Sequence, residues 1–388
     1  RMVQPMDKPT VQDIFQCFYP AYLDQYSPSP VQAKVAHNIM NCKTGAYGAN
    51  VCVCEDCGFV QIHYNSFRNR CCPMCQAVPK EMWMDARRED VLDAPYFHLV
   101  FTVPDILNPV IYSNQRLLYD ALYHAASSTI SELTADPKHL GAKVGYICIL
   151  HTWGSEMNFH PHIHTILLGG GLASNNQWKD NGENFFLPIR VISKVFRGKY
   201  LEELKRLWEE DKLVFHGTAE KFRNHYTFKE LLDSCYGMDW IPHCKKTFNG
   251  AQTVIKYLGK YTHRIAVSNH RIVRMDDDTV TFLVKDYRNE GQWKELTISG
   301  VEFVRRFLMH VPPRRFVRIR HYGLLCSRTK NQKLTLCRNL LGCKKYLSKL
   351  RDMEMPEILE HLYGIKVCVC KACGGHLGKP QMRMPLRC

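Results

Sequence analysis

Asn158-Phe-His-Pro-His-Ile-His-Thr-Ile-Leu-Leu-Gly-Gly-Gly171 places three histidines, His160, His162 and His164, at alternate positions. Residues two apart on a strand point to the same face. Residues 162–168, with Ile163, Ile166, Leu167 and Leu168, read as a half-buried strand that runs into a glycine turn. On such a strand His162 and His164 aim both imidazoles at one point while Ile163 packs into the core. Neutral imidazole is a common ligand for divalent metals, so the pair reads as a metal site. A lone His-x-His is more often a hydrogen-bonded pair of strand histidines. A second motif far downstream changes that balance.

The second motif is Val254-Ile-Lys-Tyr-Leu-Gly-Lys-Tyr-Thr-His-Arg264. Tyr257 and Tyr261 are four residues apart, so on a helix both phenols project from one face. Gly259 lowers helix propensity by about 1 kcal/mol relative to alanine and suits close backbone approach to a ligand. Lys256, Lys260, His263 and Arg264 give this helix a basic rim suited to phosphate.

The whole chain shares that charge. Its 388 residues carry 52 Lys and Arg against 37 Asp and Glu, a net +15, which points to a polyanionic partner and first to nucleic acid. An acidic membrane surface fits less well, because no basic amphipathic anchor stands out. No apolar run is long enough to span a bilayer, and the polar opening residues do not resemble a signal peptide, so the chain reads as cytoplasmic. The length suffices for two or three domains, and a hydrophobic fraction of 45% makes a sizeable core available. Basic residues are dense at Arg305–Arg306, at 314–320, where Arg318 and Arg320 are candidate DNA contacts, and at Lys344–Lys345.

Eighteen cysteines in such a chain argue for metal ligation rather than disulfides. Cys54/Cys57 and Cys72/Cys75 each have Cys-x-x-Cys spacing, and together they fit one tetrahedral four-thiolate zinc site. Cys42 and Cys71, with Cys52, His37 and His63, are left to build a second site whose pairing the spacing leaves open. Cys370-x-x-Cys373-Gly-Gly is a further knuckle, with Cys368, Cys388 and His376 nearby, and is the candidate for a C-terminal zinc. Periodicity predicts two helices over 11–41 broken near Pro28 and Pro30, and a linking helix over 80–93. It predicts strands over 96–104, 144–151 and 279–285, and helices over 109–138, 200–208, 301–309 and 327–350. His98 and Thr102 share a face of the first strand and line the site if that strand neighbours the histidines.

These stretches accumulate into a pattern. Cys54, Cys57, Cys72-Pro-x-Cys75-Gln76, Tyr96-Phe-His-x-Val-Phe-Thr-Val-Pro104, Thr152-Trp-Gly154, His160-Pro-His-Ile-His164, Phe196-Arg-Gly198, Tyr257-Leu-x-x-Tyr-Thr-His-Arg264 and Arg318-Ile-Arg-His-Tyr-Gly-Leu-Leu325 run almost end to end. The chain resembles the HUH-type two-tyrosine transposases of the insertion-sequence ninety-one family. Phe67 and Cys71 depart from that pattern, standing where a cysteine and a histidine are expected. The resemblance implies an α+β fold: an antiparallel, ferredoxin/RRM-like HUH nuclease sheet with an N-terminal zinc-binding domain and a basic C-terminal region. The expected segments are 1–80 for zinc and DNA binding, 81–270 for catalysis, 271–350 for accessory DNA contact, and 351–388 for a knuckle-like tail.

What the resemblance implies about chemistry is specific. His162 and His164 hold Mg²⁺ or Mn²⁺, with His160 first in line as third ligand and Glu156 and His263 as alternatives. Tyr257 and Tyr261 are the nucleophiles, and Lys256, Lys260 and Arg264 hold the DNA backbone. The partner is DNA, mainly single-stranded element ends and target, with no membrane. Tyr287 and Trp293 are candidates for base stacking. The rival readings are a non-enzymatic zinc-dependent DNA-binding regulator, a rolling-circle replication initiator or relaxase, and a metal-dependent hydrolase.

Overall fold

The computed structural model describes residues 8–181, 187–240, 242–248, 254, 259, 265–286 and 291–383. The chain opens with helices Val11–Gln25 and Pro30–Met40, each entered through a capping box at Thr10 and at Ser29. Strands β1 (Ala49–Val53) and β2 (Val60–Tyr64) follow, then helix Ala77–Arg88 and β3 (Tyr96–Thr102). Helix Gln115–Ala135 leads to the hairpin of β4 (Lys143–Trp153) and β5 (Phe159–Leu172), and a short β6 (Trp178–Asp180). Helices Ile189–Glu209 and His225–Gly237 precede β7 (His243–Phe248), then β8 (Ile272–Met275), β9 (Thr279–Asp286) and β10 (Gln292–Ser299). Helix Gly300–Met309, β11 (Ile319–Gly323), helices Lys330–Leu341 and Met355–Tyr363, and β12 (Gln381–Arg383) complete the described elements.

The histidine stretch is the centre of the main sheet, whose order is β11-β4-β5-β3-β7, with β6 paired to the end of β5. All its pairings are antiparallel, and the fold is α+β. Ile163 and Leu167 of β5, Leu99 and Phe101 of β3 and Leu150 of β4 face the largest core, packed under helices Gln115–Ala135 and Ile189–Glu209. On the opposite face Ile147, Ile149, Ile166 and Leu168 meet Val254, Leu324 and Leu334 in a smaller core. His162 and His164 continue that second face beyond its apolar patch.

Two features of β5 differ from the sequence expectation. It is buried on both faces from Pro161 onward, because helices cover one side and residues 254 and 324–334 cover the other. Nor do the glycines form a turn: β5 runs through Gly169–Gly171 to Leu172. A Cβ at Gly171 would sit 2.4 Å from the Lys143 carbonyl oxygen and one at Gly170 2.4 Å from the Trp178 ring. Glycine is used here for close packing of neighbouring strands.

A second body is built from sheet β10-β9-β8, helix Gly300–Met309 and the two N-terminal helices, which share one core of Phe15, Phe282, Phe303 and Phe307. It holds the tip of the β4–β5 hairpin. Arg271 donates to the Ser155 carbonyl at 2.6 Å, Arg306 to Glu156 O at 3.0 Å, and His310 Nε2 to Met157 O at 3.0 Å. A third sheet has the order β12-β1-β2, so the last described strand pairs with the first. The four expected segments therefore interleave: β11, from the range 271–350, joins β4, and β12, from the tail, joins β1. The helix expected over 327–350 stops at Leu341, where Gly342 turns left-handed at φ 63°. Among the described residues no helix is long and apolar enough to cross a membrane.

Candidate metal centre and cleft

Three imidazoles converge on the open end of the sheet face. Nitrogens of His151, His162 and His164 all lie within 4.8 Å of one another, and all three residues are buried. His162 Nε2 and His164 Nε2 are 3.0 Å apart. His151 comes from β4, directly across from His162 in the ladder.

His160, expected as the third ligand, is not in this cluster. Trp153 pairs with Phe159 and His151 with His162, so one residue of β4, Thr152, lies opposite two of β5, His160 and Pro161. This is a β-bulge, and it breaks the two-residue period between His160 and His162. Pro161 has no N–H for the ladder and sits where the register shifts. His160 instead turns to Asp105, 3.3 Å away, and its carbonyl accepts from His162 Nδ1 at 2.7 Å. Glu156 is an exposed residue of the hairpin tip and lies outside the cluster as well. His263 falls outside the described residues, as do Tyr257, Tyr261, Lys256, Lys260, Arg264 and Tyr287.

The donor set suits a divalent cation. Burial lowers the pKa of His162 to about 4, with the neighbouring His160 adding to the effect. Burial, with His151, His162 and His98 around it, holds His164 well below the usual imidazole range. At neutral pH both keep an uncharged ring and a free lone pair, the form that binds metal.

The cluster forms one wall of a cleft of about 760 Å³. Its lining also includes Lys80, Thr102, Arg271, Lys285, Trp293 and Gly259. Among the described lining residues there is no carboxylate, whereas Lys80, Arg271 and Lys285 are cationic and His160 and His270 line the cleft beside the three clustered histidines. Gly259 packs tightly there, since a Cβ would come 2.0 Å from Met84 Sδ. Trp293 is 52% exposed, with the Lys285 ammonium 5.3 Å from its ring centroid. Arg318 and Arg320 are half-buried: Arg318 lies over the Trp153 ring, and Arg320 pairs with Asp120 and covers Tyr123.

The cysteines pair differently from the expected single site. Cys54 and Cys57 face Cys370 and Cys373, with Cys54 Sγ 3.5 Å from Cys373 Sγ and Cys57 Sγ 3.8 Å from Cys370 Sγ. The two knuckles have the same backbone. The glycine after each second cysteine, Gly58 or Gly374, has φ of 70° or 76° and donates to the carbonyl of the first cysteine at 3.0 Å. Cys72 and Cys75 group with Cys42, and Cys42 Sγ is 3.2 Å from Cys75 Sγ. A hydrogen bond from Cys72 favours the thiolate of Cys75 and lowers its pKa. Cys71, expected as a ligand of the second site, diverges from its neighbour Cys72 and lies buried near Arg318 and Arg70. Sequence spacing could not pair residues 54–57 with 370–373, because the pairing is made by β12 folding back on β1. His151 left a fainter signal: it is the third residue before Gly154, where counting back from the hairpin turn brings it close to the His-x-His pair.

A cationic cleft walled by clustered imidazoles, in a chain that also gathers cysteines into sets of zinc-site type, defines a metal-binding class of protein with a surface suited to a polyanion. A family model for the transposase zinc-binding domain matches residues 14–103, and one described as "Putative transposase" matches residues 145–333. The chain is 39% identical over 369 residues to "Putative transposase y4qJ" of Sinorhizobium fredii (strain NBRC 101917 / NGR234), covering 94% of this chain and 93% of that one. It is 30% identical over 309 residues to "Transposase for insertion sequence element IS801" of Pseudomonas savastanoi pv. phaseolicola, covering 78% of this chain and 72% of the relative. The chain belongs to the insertion-sequence ninety-one family of transposases, and its N-terminal part carries their zinc-binding domain. A solved structure, "Conjugative Relaxase TrwC in complex with OriT Dna. Metal-free structure.", aligns over 28% of this chain and 44% of its own at 19% identity, with a TM-score of 0.22. An overlap this small has no bearing on the site.

Proposed function

We propose that this transposase nicks and rejoins single-stranded DNA through a 5′-phosphotyrosine link, in rolling-circle-like transposition. The observation that carries the reading is that Gly259, two residues from Tyr257 and two from Tyr261 in sequence, lines the same cleft as His151, His162 and His164. Those three histidines would hold Mg²⁺ or Mn²⁺, which when bound acts as a Lewis acid on a phosphate oxygen. Tyr257 and Tyr261 are the nucleophiles. A phenol has a reference pKa near 10 and attacks phosphorus only once its proton is lost. The new bond joins the tyrosine oxygen to the 5′-phosphate, and the departing 3′ oxygen takes up a proton as a free hydroxyl. One phosphodiester replaces another, so no nucleotide hydrolysis is needed. With two tyrosines a second strand can be cut while the first is still attached, and a free 3′-hydroxyl then displaces a tyrosine to rejoin DNA.

Lys80 and Lys285 at the cleft, with Lys256, Lys260 and Arg264 in the tyrosine motif, would hold the backbone by charge. The zinc clusters would be Cys54, Cys57, Cys370 and Cys373 in one site, and Cys42, Cys72 and Cys75 in the other. The test is a denaturation-resistant protein–DNA adduct formed on a single-stranded element end with Mn²⁺. It should form with the parent chain and vanish in the Tyr257→Phe/Tyr261→Phe double variant. Cleavage without any adduct would favour the hydrolase, and DNA binding with neither would favour the regulator.

A further inference from the structure

We propose that His98 is a positioning residue for the metal centre: it fixes the tautomer and ring plane of His164 so that His164 presents Nε2, and only Nε2, to the cation. The inference rests on the reading that His151, His162 and His164 hold a divalent ion, but it concerns the protein before any ion arrives.

The argument is one of nitrogen accounting. An imidazole has two ring nitrogens, and a neutral ring carries its proton on one of them. His164 Nε2 points at His162 Nε2, 3.0 Å away, and so faces the centre of the cluster. Its Nδ1 lies 2.9 Å from His98 Nε2. For Nε2 to offer a lone pair, Nδ1 must carry the hydrogen, and a buried N–H needs an acceptor. His98 Nε2 is the acceptor in that position. The two rings are 16° from parallel with centroids 5.1 Å apart, so the bond also fixes the rotation of the His164 ring.

The neighbouring ligand is served in another way. His162 Nδ1 donates to the carbonyl of His160, a backbone group placed by the bulge. His164 lies past the bulge in regular ladder, where carbonyls are directed along the sheet to the neighbouring strands, so a side chain must supply the acceptor. The ladder puts one in reach: Val100 of β3 pairs with His164, and His98 is two residues along on the same face. His98 is 5% exposed, so water does not compete for the role. Outer partners of this kind set tautomer and orientation in metal sites, and their loss typically weakens metal affinity about 10- to 100-fold.

The experiment uses the full chain with its cysteine-bound zinc retained and loosely held divalent ions removed by dialysis, with Mn²⁺ alone as the probe and free Mn²⁺ read by electron paramagnetic resonance. His98→Leu fills the space without an acceptor and should weaken Mn²⁺ binding about 10- to 100-fold. His98→Gln supplies a carbonyl acceptor and should stay within about threefold of the parent. Melting of both variants without added Mn²⁺, their zinc content unchanged, separates this from loss of fold. A second measurement needs no substitution at residue 98. In ¹⁵N-histidine spectra of the metal-free parent, His164 should be the Nδ1–H tautomer. Parent-like binding by a folded His98→Leu variant, a Gln variant as weak as Leu, or an Nε2–H tautomer at His164 would each overturn the proposal. A parent that binds Mn²⁺ with the expected tautomer yet forms no DNA adduct would sink the proposed function and leave this inference standing.

Discussion

Replacing Cys370 and Cys373 together by serine tests the pairing of the two chain ends most directly. The last deeply buried residue before the tail knuckle is Ile358, about 12 residues upstream of Cys370. Closing a flexible segment of that length costs about 2 kcal/mol. Against this, the tail buries Leu377, at 3% exposure, which contributes about 2 kcal/mol, and adds a three-residue ladder of β12 on β1. A ladder at a frayed edge adds little, so without metal the tail balances near zero. Zinc binding by four thiolates, about 10–16 kcal/mol in small zinc modules, decides the outcome. The double variant should therefore lose one zinc per chain while the Cys42, Cys72 and Cys75 set keeps its own. Zinc is counted with a chromogenic chelator after thiol blocking. Limited proteolysis of the full chain should then cut after residue 363 much faster than in the parent, with the β4–β5 sheet still resistant. Unchanged zinc content, or a tail as protected as before, would refute the clasp.

Two further outcomes follow from the same geometry. His151→Ala should abolish Mn²⁺ binding and the adduct, whereas His160→Ala keeps the backbone carbonyl that His162 uses and loses only a ring facing exposed Asp105, so it should weaken binding by less than the roughly tenfold at which loss of an outer partner begins; equal losses in the two variants would contradict the bulge argument. His310 gives a pH dependence. Burial lowers its pKa from 6.5 to about 4; the Met157 carbonyl, which favours the charged form, works against this, and Arg305 adds to it. The unfolded chain thus takes up a proton between pH 6.5 and 4 that the fold refuses. Its stabilising effect is complete above pH 6.5 and falls away as the pH drops towards 4, by about 3 kcal/mol at most. Denaturant titrations at pH 4.5 and 7 should show a smaller difference for His310→Gln than for the parent, and an identical difference would remove His310 from the account.

The sequence by itself determined the residues that could do chemistry and much of the local structure. The alternation around His162 and His164 identified a strand, because side-chain period is a local property. The cysteine knuckles were legible for the same reason: Cys-x-x-Cys-Gly is a turn with its own hydrogen bonds, as Gly58 and Gly374 show. Tertiary structure alone decided who meets whom. His151 entered the histidine cluster because β4 pairs with β5 across a bulge whose position depends on the ladder, and the same bulge sent His160 to Asp105. Cys54 and Cys57 found Cys370 and Cys373 because β12 returns to β1. The partners of Arg320, Asp120 and the Tyr123 ring, come from a distant helix and are set by the pairing of β11 with β4, which charge along the chain does not record. Spacing along the chain records which residues can act together only within one element; across elements, register and burial decide.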